Sequence, residues 1–536
     1  MDVKLSKFTK NQTAFGGKKT KIVATIGPAS ENKDILREMV LSGMNVARLN
    51  FSHGDYATNQ KVIKNIREIS EELDCPVGIM ADLQGPRIRT LVNSDMEIKA
   101  GDNIKICDVS SNLKSEIPAS PAGGRNTKYE TQPKAGPPLA ENPNPPAGGQ
   151  NQKNQIIFLD IPGIIQDINV GNAILIEDGL MKLKVVKKEK YFLEAEVVEG
   201  GTIKNHKGVN IPDAKLNISA MTEKDDKDLE FALKEDVDFV ALSFVSVAKD
   251  IEDLRGKISA FSESASGGKK MLGNENNLPQ IVAKIERKEA IKNIDEIIKA
   301  SDVVMVARGD LGIEMDESKV VLYQKEIIVK CLKAVKPVIV ATQMLDSMIH
   351  NPIPTRAEVS DVSNAVIDHT DAVMLSGETA NGKYPLKAVE MMAEIARNTE
   401  ASPFDDINPG FLDGDIFSDY ASIIDSAHEL AKSSKAKAIL VATDSGFTAR
   451  IMSHHRPEET ILVSTRNKKT YNQLSIIWGV RAYLFDQENN REKLLELLIE
   501  KAKKEGKLSL GDKAVVIFGK LQDSDKVQMV GIKEIE

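Results

Sequence analysis

Residues 281–314 read IVAKIERKEAIKNIDEIIKASDVVMVARGDLGIE and set the pattern for much of the chain. Residues 281–286 are apolar and end in charge, and residues 288–300 repeat isoleucine at helical spacing. Residues 302–306 form a β-branched run that breaks at Arg308. Two strands joined by one helix of this length are expected to be parallel neighbours, so their polar ends share one edge of the sheet.

Four charged side chains stand at these two strand ends: Lys284, Glu286, Arg308 and Asp310. Lys284 and Glu286 are two residues apart and therefore share one face of their strand. Mg²⁺ in proteins takes one or two carboxylates and leaves other positions to water and substrate oxygens. A nearby lysine can stabilise a phosphoryl group in transit. Solvated loop charges would explain one carboxylate, but four charged groups at adjacent strand ends favour a site for Mg²⁺ and phosphate.

The same alternation of apolar runs and helical patterns recurs along the chain. The other strand candidates are residues 21–26, 45–49, 77–81, 238–244, 337–343 and 371–376. Eight strand–helix units predict an α/β fold of the (β/α)8 TIM barrel type, with a doubly wound sheet as the structural alternative. The active site of such a barrel lies at the C-terminal strand ends. The polar residues at those ends are Arg48, Asp82, Lys284, Glu286, Asp310, Thr342 and Ser376.

A long interruption separates the third and fourth barrel strands. It is predicted to be an inserted β-rich domain with strands at 103–107, 173–176, 182–186 and 192–198 and a turn at Asp178-Gly179. Its middle, residues 110–154, is rich in Pro, Gly and Asn and is predicted to be disordered, so that its removal should leave the fold intact. Such an insertion suits a closing lid, although an inert insertion is also common. A second polar stretch, residues 261–277, is expected to be a surface loop.

A linker at 400–419 precedes a third domain. Its strand candidates, 438–442, 460–463, 482–485 and 514–518, alternate with helical patterns such as 494–502 and predict an open α/β sheet. The turn after the first strand carries Thr443, Ser445 and Thr448, and hydroxyls at a helix start suit a phosphate. An ordinary helix cap explains the same residues equally well.

The predicted division of the chain has four segments. They are 1–89, the first part of the barrel with a polar lead-in at 1–19; 90–216, the inserted domain; 217–399, the rest of the barrel; and 400–536, the C-terminal domain.

Composition excludes several classes of protein. The net charge is −8, which gives no sign of the basic patch that nucleic-acid binding needs. Three cysteines lie far apart, which fits a reducing compartment and argues against disulfides or a zinc site. The first residues lack the apolar core of a secretory signal, and the chain has no run of about 18 apolar residues. The expected location is cytoplasmic, with no membrane partner.

Several ordered stretches resemble the pyruvate kinases. They are KTKIVATIGPAS (19–30), GMNVARLNFSHG (43–54), ADLQGPRIRT (81–90), KGVNIP (207–212), KIE (284–286), VARGDLGIE (306–314), ATQMLDSM (341–348) and DAVMLSGETANGKYP (371–385). The resemblance implies a homotetrameric glycolytic enzyme with a barrel, a lid and a regulatory C-terminal domain. It also implies phosphoryl transfer from phosphoenolpyruvate to ADP, followed by protonation of the enolate.

The resemblance carries residue roles to this chain. It implies that Glu286 and Asp310 bind Mg²⁺ or Mn²⁺ and that Lys284 stabilises the phosphoryl transition state. Arg48 matches the arginine on the substrate phosphate, and the amides of Gly309 and Asp310, with Thr342, match the side that holds the substrate carboxylate. Thr342 is too weak an acid to donate the proton alone, so with Ser376 it is expected to orient a water or a relay. The residues that resemble the nucleotide side are Arg89, Lys207, Pro28, His53 and Asn50.

The chain departs from the family's pattern around the monovalent cation. Potassium-dependent members carry a glutamate where this chain has Arg87 and a threonine where it has Leu83. Asn50, Ser52 and Asp82 match the remaining potassium ligands. Because Arg87 brings a permanent positive charge, the expectation is that K⁺ is not required. The loop that binds effectors in the family matches this chain only in part of its glycine, hydroxyl and aromatic pattern. The candidate effectors are a sugar phosphate and AMP.

Two other functions are compatible with parts of the pattern. A barrel lyase or aldolase acting on pyruvate with Mg²⁺ would use two carboxylates and an arginine, but it would not need the lid or the pair Lys284 and Lys207. A non-catalytic metabolite sensor could keep the fold. The joint presence of Arg48, Lys284, Glu286, Asp310 and Thr342 disfavours the sensor.

Overall fold

The structure is a computed structural model. It describes residues 17–52, 54–111, 156–265, 277–404, 418–488, 490–518 and 529–536. These residues belong to two compact units. One runs up to Pro86 and resumes at Ser219, and the other is Arg87–Ile218. The finer division into four segments stays a prediction.

Within the described residues, eight parallel strands of the first unit close into a barrel. Numbered along the whole chain, they are β1 (Lys21–Ile26), β2 (Val46–Asn50), β3 (Gly78–Asp82), β13 (Phe239–Leu242), β14 (Gln280–Ile285), β15 (Val303–Ala307), β16 (Val338–Ala341) and β17 (Ala372–Leu375). Strand β1 pairs with both β2 and β17, which closes the sheet. The predicted (β/α)8 barrel is confirmed, and an open doubly wound sheet is excluded.

Helices of this unit pack around the barrel. They are α1 (Lys33–Ser42), α2 (Tyr56–Glu72), α3 (Glu223–Lys234), α4 (Ala248–Ala265), α5 (Lys288–Lys292), α6 (Ile294–Ala300), α7 (Arg308–Glu314), α8 (Glu317–Lys333), α9 (Arg356–Ile367), α10 (Gly377–Ala380) and α11 (Pro385–Glu400). Local sequence fixes several of their starts. Thr222 and Thr355 each form a capping box with the acidic residue three positions later, which satisfies two free amides at the helix start.

One helix prediction in this unit was wrong, and one predicted loop is helical at its start. Residues 288–300 were expected to form one helix, but the helix is interrupted at Asn293, whose side-chain Nδ2 donates to the Ser246 carbonyl at 2.9 Å. Ser246 lies in a different part of the chain, so the spacing of the isoleucines could not reveal this interruption. The expected loop at 261–277 is helical as far as Ala265, where α4 ends, and residues 266–276 lie outside the described part.

The second unit is β-rich, as predicted. Its strands are β4 (Ile88–Leu91), β5 (Met96–Ile98), β6 (Asn103–Asp108), β7 (Ile156–Leu159), β8 (Ala173–Ile176), β9 (Met181–Lys188), β10 (Leu193–Glu199), β11 (Gly201–Ile203) and β12 (Gly208–Asn210). Seven of these described strands close a small barrel in the order β10-β6-β7-β4-β12-β8-β9, while β5 pairs with β11. The turn at Asp178-Gly179 joins β8 to β9, with left-handed backbone at both residues.

The segment predicted to be disordered, residues 110–154, lies almost wholly outside the described residues. Ser110 and Ser111 are described, and the Ser110 amide donates to Asp108 at 2.8 Å. Residues 112–155 are outside the description. The chain returns as β7, which pairs with β6 in the parallel sense.

The C-terminal region folds around a five-stranded sheet in the described residues. Its strands are β18 (Ala438–Ala442), β19 (Thr460–Thr465), β20 (Val480–Leu484), β21 (Lys513–Phe518) and β22 (Met529–Glu534), in the order β20-β19-β18-β21-β22. Its helices are α12 (Ser418–Ser434), α13 (Phe447–His454), α14 (Lys468–Gln473) and α15 (Arg491–Lys504). The predicted α/β sheet is confirmed, but the antiparallel edge strand β22 was missed.

The linker expected at 400–419 is shorter in the structure. Glu400 ends α11, α12 begins at Ser418, and residues 405–417 lie outside the described part. None of the described helices is both long enough and apolar enough to cross a membrane.

Candidate active site

Lys284 occupies the centre of a buried polar cluster at the C-terminal end of β14. Its ammonium donates to Glu286 Oε1 and to Ser243 Oγ, each at 2.8 Å, and lies 3.3 Å from Asp82 Oδ1. The residue is 8% exposed. A buried charge is tolerated when it is paired and hydrogen-bonded, and this ammonium meets two carboxylates and one hydroxyl.

Arg48 joins the same cluster from β2. Its Nε donates to Asp82 Oδ2 at 2.6 Å, and its Nη1 donates to Thr25 Oγ1 at 2.9 Å. Asp82 therefore lies between two cations, Arg48 and Lys284. Burial alone would raise the pKa of Asp82, but the two cations outweigh burial and hold that pKa below its usual range. Burial would likewise lower the pKa of Lys284, but Asp82 and Glu286 raise it.

Glu286 and Asp310 form the acidic side of the cluster. Glu286 Oε2 accepts the Phe244 amide at 2.7 Å, and Asp310 lies in the first turn of α7. Burial raises the pKa of Glu286, and the negative charge of Asp310 raises it further. Glu286 is buried and Asp310 is partly buried. Two neighbouring carboxylates that repel each other are stabilised by a cation, so the pair fits a divalent metal. Among the described residues no group of three or more His, Cys, Asp or Glu could hold a metal, so further ligands would be water or substrate.

Thr342 follows β16 in a left-handed backbone conformation, with φ of 70°. Its hydroxyl accepts the Gly309 amide at 2.7 Å and donates to the Ala341 carbonyl at 2.6 Å. A β-branched residue with positive φ is a genuine outlier, and such outliers cluster at functional sites. Thr342 and Gly309 are therefore hydrogen-bonded to each other at the place where a substrate carboxylate is expected.

Arg308 does not join Lys284 and Glu286, which corrects the expectation that four charges gather at these strand ends. Its Nη1 donates to Asp361 Oδ1 at 2.8 Å, and its Nη2 lies 2.7 Å from Asp361 Oδ2. Nη2 also donates to the Thr342 carbonyl at 2.9 Å. The sequence predicted correctly that Arg308 lies at this edge of the barrel. It could not show that Asp361 on α9 binds its guanidinium.

Ser376 follows β17, and its hydroxyl oxygen is buried without a hydrogen-bond partner. Its amide donates to Glu378 Oε2 at 2.7 Å, while the Leu345 amide donates to Glu378 Oε1 at 3.1 Å. Burial raises the pKa of Glu378. Glu378 therefore connects the ends of two neighbouring barrel strands. An orphaned buried hydroxyl at a site is a natural partner for a water or a ligand.

The residues expected around the monovalent cation and the nucleotide are divided between the two units. In the first unit Asn50 ends β2 and accepts the Ser52 amide at 3.1 Å, Leu83 is buried directly after β3, and Pro28 lies in an exposed turn after β1. His53 lies outside the described residues.

The remaining candidates lie in the inserted unit. Arg89 on β4 and Lys207 just before β12 are brought near each other because the two strands pair. Lys207 forms an ion pair with Glu177. Arg87 lies 3.4 Å from Asp178 and is 41% exposed in its side chain.

The turn at 443–448 is stabilised by its own hydroxyls. Thr443 Oγ1 accepts the Gly446 amide at 3.0 Å, and Ser445 Oγ accepts the Phe447 amide at 3.4 Å. Thr448 is buried, whereas Ser445 is exposed. These bonds are those of an ordinary turn before a helix, and the exposed Ser445 is the hydroxyl best placed for an external ligand.

Sequence reasoning missed three residues of the site: Ser243, Phe244 and Glu378. The first two directly follow β13, a strand that already belonged to the predicted set, so their position at a strand end was a usable signal. Phe244 adopts a left-handed conformation, with φ of 56°, and presents its amide to Glu286. Glu378 lies within the quoted stretch at 371–385, but its role depends on contacts between two strand ends.

The comparisons with known proteins agree along the chain. A family model described as pyruvate kinase, barrel domain, matches residues 17–119 and 144–389, and one described as pyruvate kinase, alpha/beta domain, matches residues 421–532. A pyruvate kinase from Geobacillus stearothermophilus is 39% identical over 507 residues, covering 94% of this chain and 78% of the relative. One from Sporosarcina psychrophila is 37% identical over 522 residues, with the same two coverages. A crystal structure of a pyruvate kinase from Cryptosporidium parvum covers 97% of this chain and 96% of its own, with 32% identity and a TM-score of 0.79.

Fold, site and relatives together define a phosphotransferase built on a barrel. The chain belongs to the pyruvate kinase family. It transfers the phosphoryl group of phosphoenolpyruvate to ADP, giving pyruvate and ATP in the final step of glycolysis. The lyase or aldolase and the non-catalytic sensor are therefore set aside.

Proposed function

We propose that Glu286 and Asp310 bind the divalent cation, Mg²⁺ or Mn²⁺, and that Lys284 stabilises the phosphoryl group as it moves. The observation that carries this proposal is the buried Lys284 ammonium, held between Asp82 and Glu286 at the C-terminal end of the barrel. When bound, the cation would neutralise charge on the phosphoryl oxygens. Lys284 is already fixed and dehydrated, so it can act on developing charge without rearrangement.

Arg48 is proposed to bind the phosphate of phosphoenolpyruvate. A guanidinium can donate two parallel hydrogen bonds to a phosphate. The bonds to Asp82 and Thr25 use Nε and Nη1 of Arg48 and not its Nη2. Asp82 orients Arg48 and Lys284 at once, because its two oxygens face the two cations. This arrangement directs both positive charges to one region.

The amides of Gly309 and Asp310, with the Thr342 hydroxyl, are proposed to hold the substrate carboxylate. The Gly309 amide donates to Thr342 Oγ1 at 2.7 Å. A carboxylate oxygen of the substrate would replace that hydroxyl as the acceptor of the amide. Thr342 and Ser376 then orient the water or relay that protonates the enolate. The buried and unpartnered hydroxyl of Ser376 supports this role.

The nucleotide side is proposed to comprise Arg89, Lys207, Pro28, His53 and Asn50. Arg89 and Lys207 lie on paired strands, and two cations there suit the phosphates of ADP. Replacing Lys207 by methionine should raise the KM for ADP more than the KM for phosphoenolpyruvate. An unchanged KM for ADP would remove Lys207 from this set.

K⁺ is proposed to be dispensable. Asn50, Ser52 and Asp82 offer oxygens, and the fourth position is the apolar Leu83. Arg87 follows Asp82 by five residues and supplies a permanent positive charge. Activity in a potassium-free buffer with an organic counter-ion is the expected result.

A sugar phosphate or AMP is proposed to bind at Thr443, Ser445 and Thr448. Ser445 is exposed just before α13, so a phosphate there would lie at the N-terminal end of that helix. The Ser445→Glu variant should lose activation by such a ligand and keep its basal turnover, because a carboxylate repels the phosphate. Unchanged activation would move the effector site elsewhere.

The assembly is proposed to be a homotetramer, and the location cytoplasmic, as the family implies. Sedimentation equilibrium of the purified chain tests the first point, and a monomer at micromolar concentration would contradict it. No nucleic acid or membrane is proposed as a partner.

The experiment that tests the proposed site is a coupled assay with phosphoenolpyruvate, ADP and Mg²⁺. Activity should require the cation and vanish on chelation, then return on adding Mg²⁺ or Mn²⁺. Full activity in the presence of excess chelator would contradict the proposed role of Glu286 and Asp310.

A further inference from the structure

The turn after β16 is held in an unfavourable backbone conformation. Thr342 and Gln343 are consecutive and have φ of 70° and 52°. Residues other than glycine rarely adopt this left-handed region, and a β-branched residue is the least suited to it. The conformation persists only where surrounding contacts impose it.

Arg308 supplies those contacts from the neighbouring strand end. Its Nη2 donates to the carbonyls of Thr342 and Gln343, at 2.9 and 3.3 Å. Nη1 and Nη2 also pair with the two oxygens of Asp361, at 2.8 and 2.7 Å. Because the side chain is only 8% exposed, this paired fork is fixed in place.

Gly309, the residue after Arg308, also binds Thr342. The Gly309 amide donates to Thr342 Oγ1 at 2.7 Å, so adjacent residues fix both the carbonyl and the hydroxyl of Thr342. The far end of the turn is bound by Glu378, which accepts the amides of Leu345 and Ser376. The Gly309 amide and the Ala341 carbonyl therefore fix the Thr342 hydroxyl, while Arg308 fixes the backbone that carries it.

We propose that Arg308 is a positioning residue for the enolate side of the reaction. It acts through the backbone of Thr342 and Gln343, and Asp361 fixes its guanidinium. This inference rests on the proposed function of Thr342, and it assigns Arg308 no contact with the phosphate or the metal. Arg308 thus keeps the Thr342 hydroxyl aligned for the carboxylate and for proton delivery.

The decisive variants separate backbone positioning from charge. Arg308→Lys keeps the positive charge and loses the fork that reaches two carbonyls and a carboxylate together. Gln343→Gly removes the steric cost of positive φ without touching Thr342, and Gln343 is exposed. Arg308→Lys should lower kcat by about tenfold or more, with a smaller change in the KM for phosphoenolpyruvate. Adding Gln343→Gly should restore part of that loss.

A second readout isolates the proton step. Exchange of the pyruvate methyl protons with D₂O, followed by NMR with Mg²⁺ and ATP present, should fall in Arg308→Lys in proportion to kcat and recover in the double variant. Should Arg308→Lys fail to fold, Asp361→Asn weakens the same hold and should show the same loss and the same rescue. Normal exchange, or a loss that Gln343→Gly does not relieve in a folded variant, would overturn the inference. Failure of the proposed function of Thr342 is distinguishable, since Thr342→Val would then keep normal turnover and normal methyl-proton exchange.

Discussion

Lys284 Nζ lies 2.8 Å from Glu286 Oε1, and the two residues are separated by a single position in the chain. One strand end therefore carries both the proposed transition-state cation and a proposed metal ligand. Glu286 lowers the cost of burying Lys284, and Lys284 offsets the repulsion between Glu286 and Asp310. A change at any one of these three residues should affect the other two.

Replacing Lys284 by methionine should reduce turnover far more than affinity for phosphoenolpyruvate. The ammonium acts mainly on charge that develops in the transition state, so kcat should fall by about a hundredfold or more while KM changes little. Steady-state kinetics in the coupled assay measures both constants. Lys292→Met, an exposed lysine on α5, is the matched control and should behave like wild type. Near-normal turnover of Lys284→Met would reject the role given to this residue.

Exchanging Arg87 for glutamate should make activity depend on potassium. Loss of the guanidinium removes one positive charge, and the new carboxylate favours recruiting a monovalent cation. The variant should be less active in potassium-free buffer and partly recover on adding K⁺, with a larger recovery when Leu83→Thr is added. Titration at constant ionic strength is the measurement. A strong rise of wild-type activity in that titration would show that K⁺ is required after all.

Residues 112–155 should be replaceable by a linker but not removable outright. Strands β6 and β7 pair in the parallel sense, so the chain must return along the strand before β7 begins. A parallel connection needs about a dozen residues. A Gly/Ser linker of about 12 residues should preserve soluble, active protein, whereas direct joining of 111 to 156 should not. This prediction adds a condition to the expectation that the segment can be removed: a linker must replace it. Equal solubility of both variants would contradict the role of the parallel pairing.

Lys507→Met should stabilise the fold at neutral pH. Burial, together with Arg481, lowers the pKa of Lys507 to about 8, so folding disfavours its charged form. The destabilisation is complete below pH 8, shrinks as pH rises toward the ordinary value of 10.5, and is gone above it. The gain at pH 7 should be about 1–2 kcal/mol, reduced by the partial exposure of the side chain.

Denaturant unfolding at pH 7 and near pH 11 measures that gain. The exposed Lys504→Met is the control and should change the free energy of unfolding by less than about 0.5 kcal/mol. A gain that is as large at pH 11 as at pH 7 would mean that charge burial is not its source.

The barrel was readable from sequence because each strand is a short apolar run with a polar residue at its end. β1, β14 and β17 follow the predicted positions closely. Short strands, exposed strands and features that depend on tertiary contacts could not be predicted. β12 is three residues long, and β22 carries exposed residues throughout most of its length. The break at Asn293 depends on a carbonyl from another loop.

The site shows the same division between local and tertiary information. Arg48, Asp82, Lys284 and Glu286 could be placed together because parallel strands end at one edge, and the structure does bring them together. Arg308 has the same local position, yet its guanidinium turns to a helix residue, Asp361. No periodicity in the sequence encodes this pairing, which depends on where the fold places Asp361 of α9.

Binding of Mn²⁺ to the purified chain tests the proposed metal site most directly. Electron paramagnetic resonance of free Mn²⁺ should show one strong site per chain in the presence of phosphoenolpyruvate, and the site should be lost or greatly weakened in Glu286→Gln and Asp310→Asn. Both variants should also lose nearly all turnover, because both carboxylates bind the same ion. Asp295→Asn, which removes an exposed carboxylate paired with Lys330, should bind Mn²⁺ like wild type. Full Mn²⁺ binding in either site variant would contradict the assignment of Glu286 and Asp310 as the metal ligands.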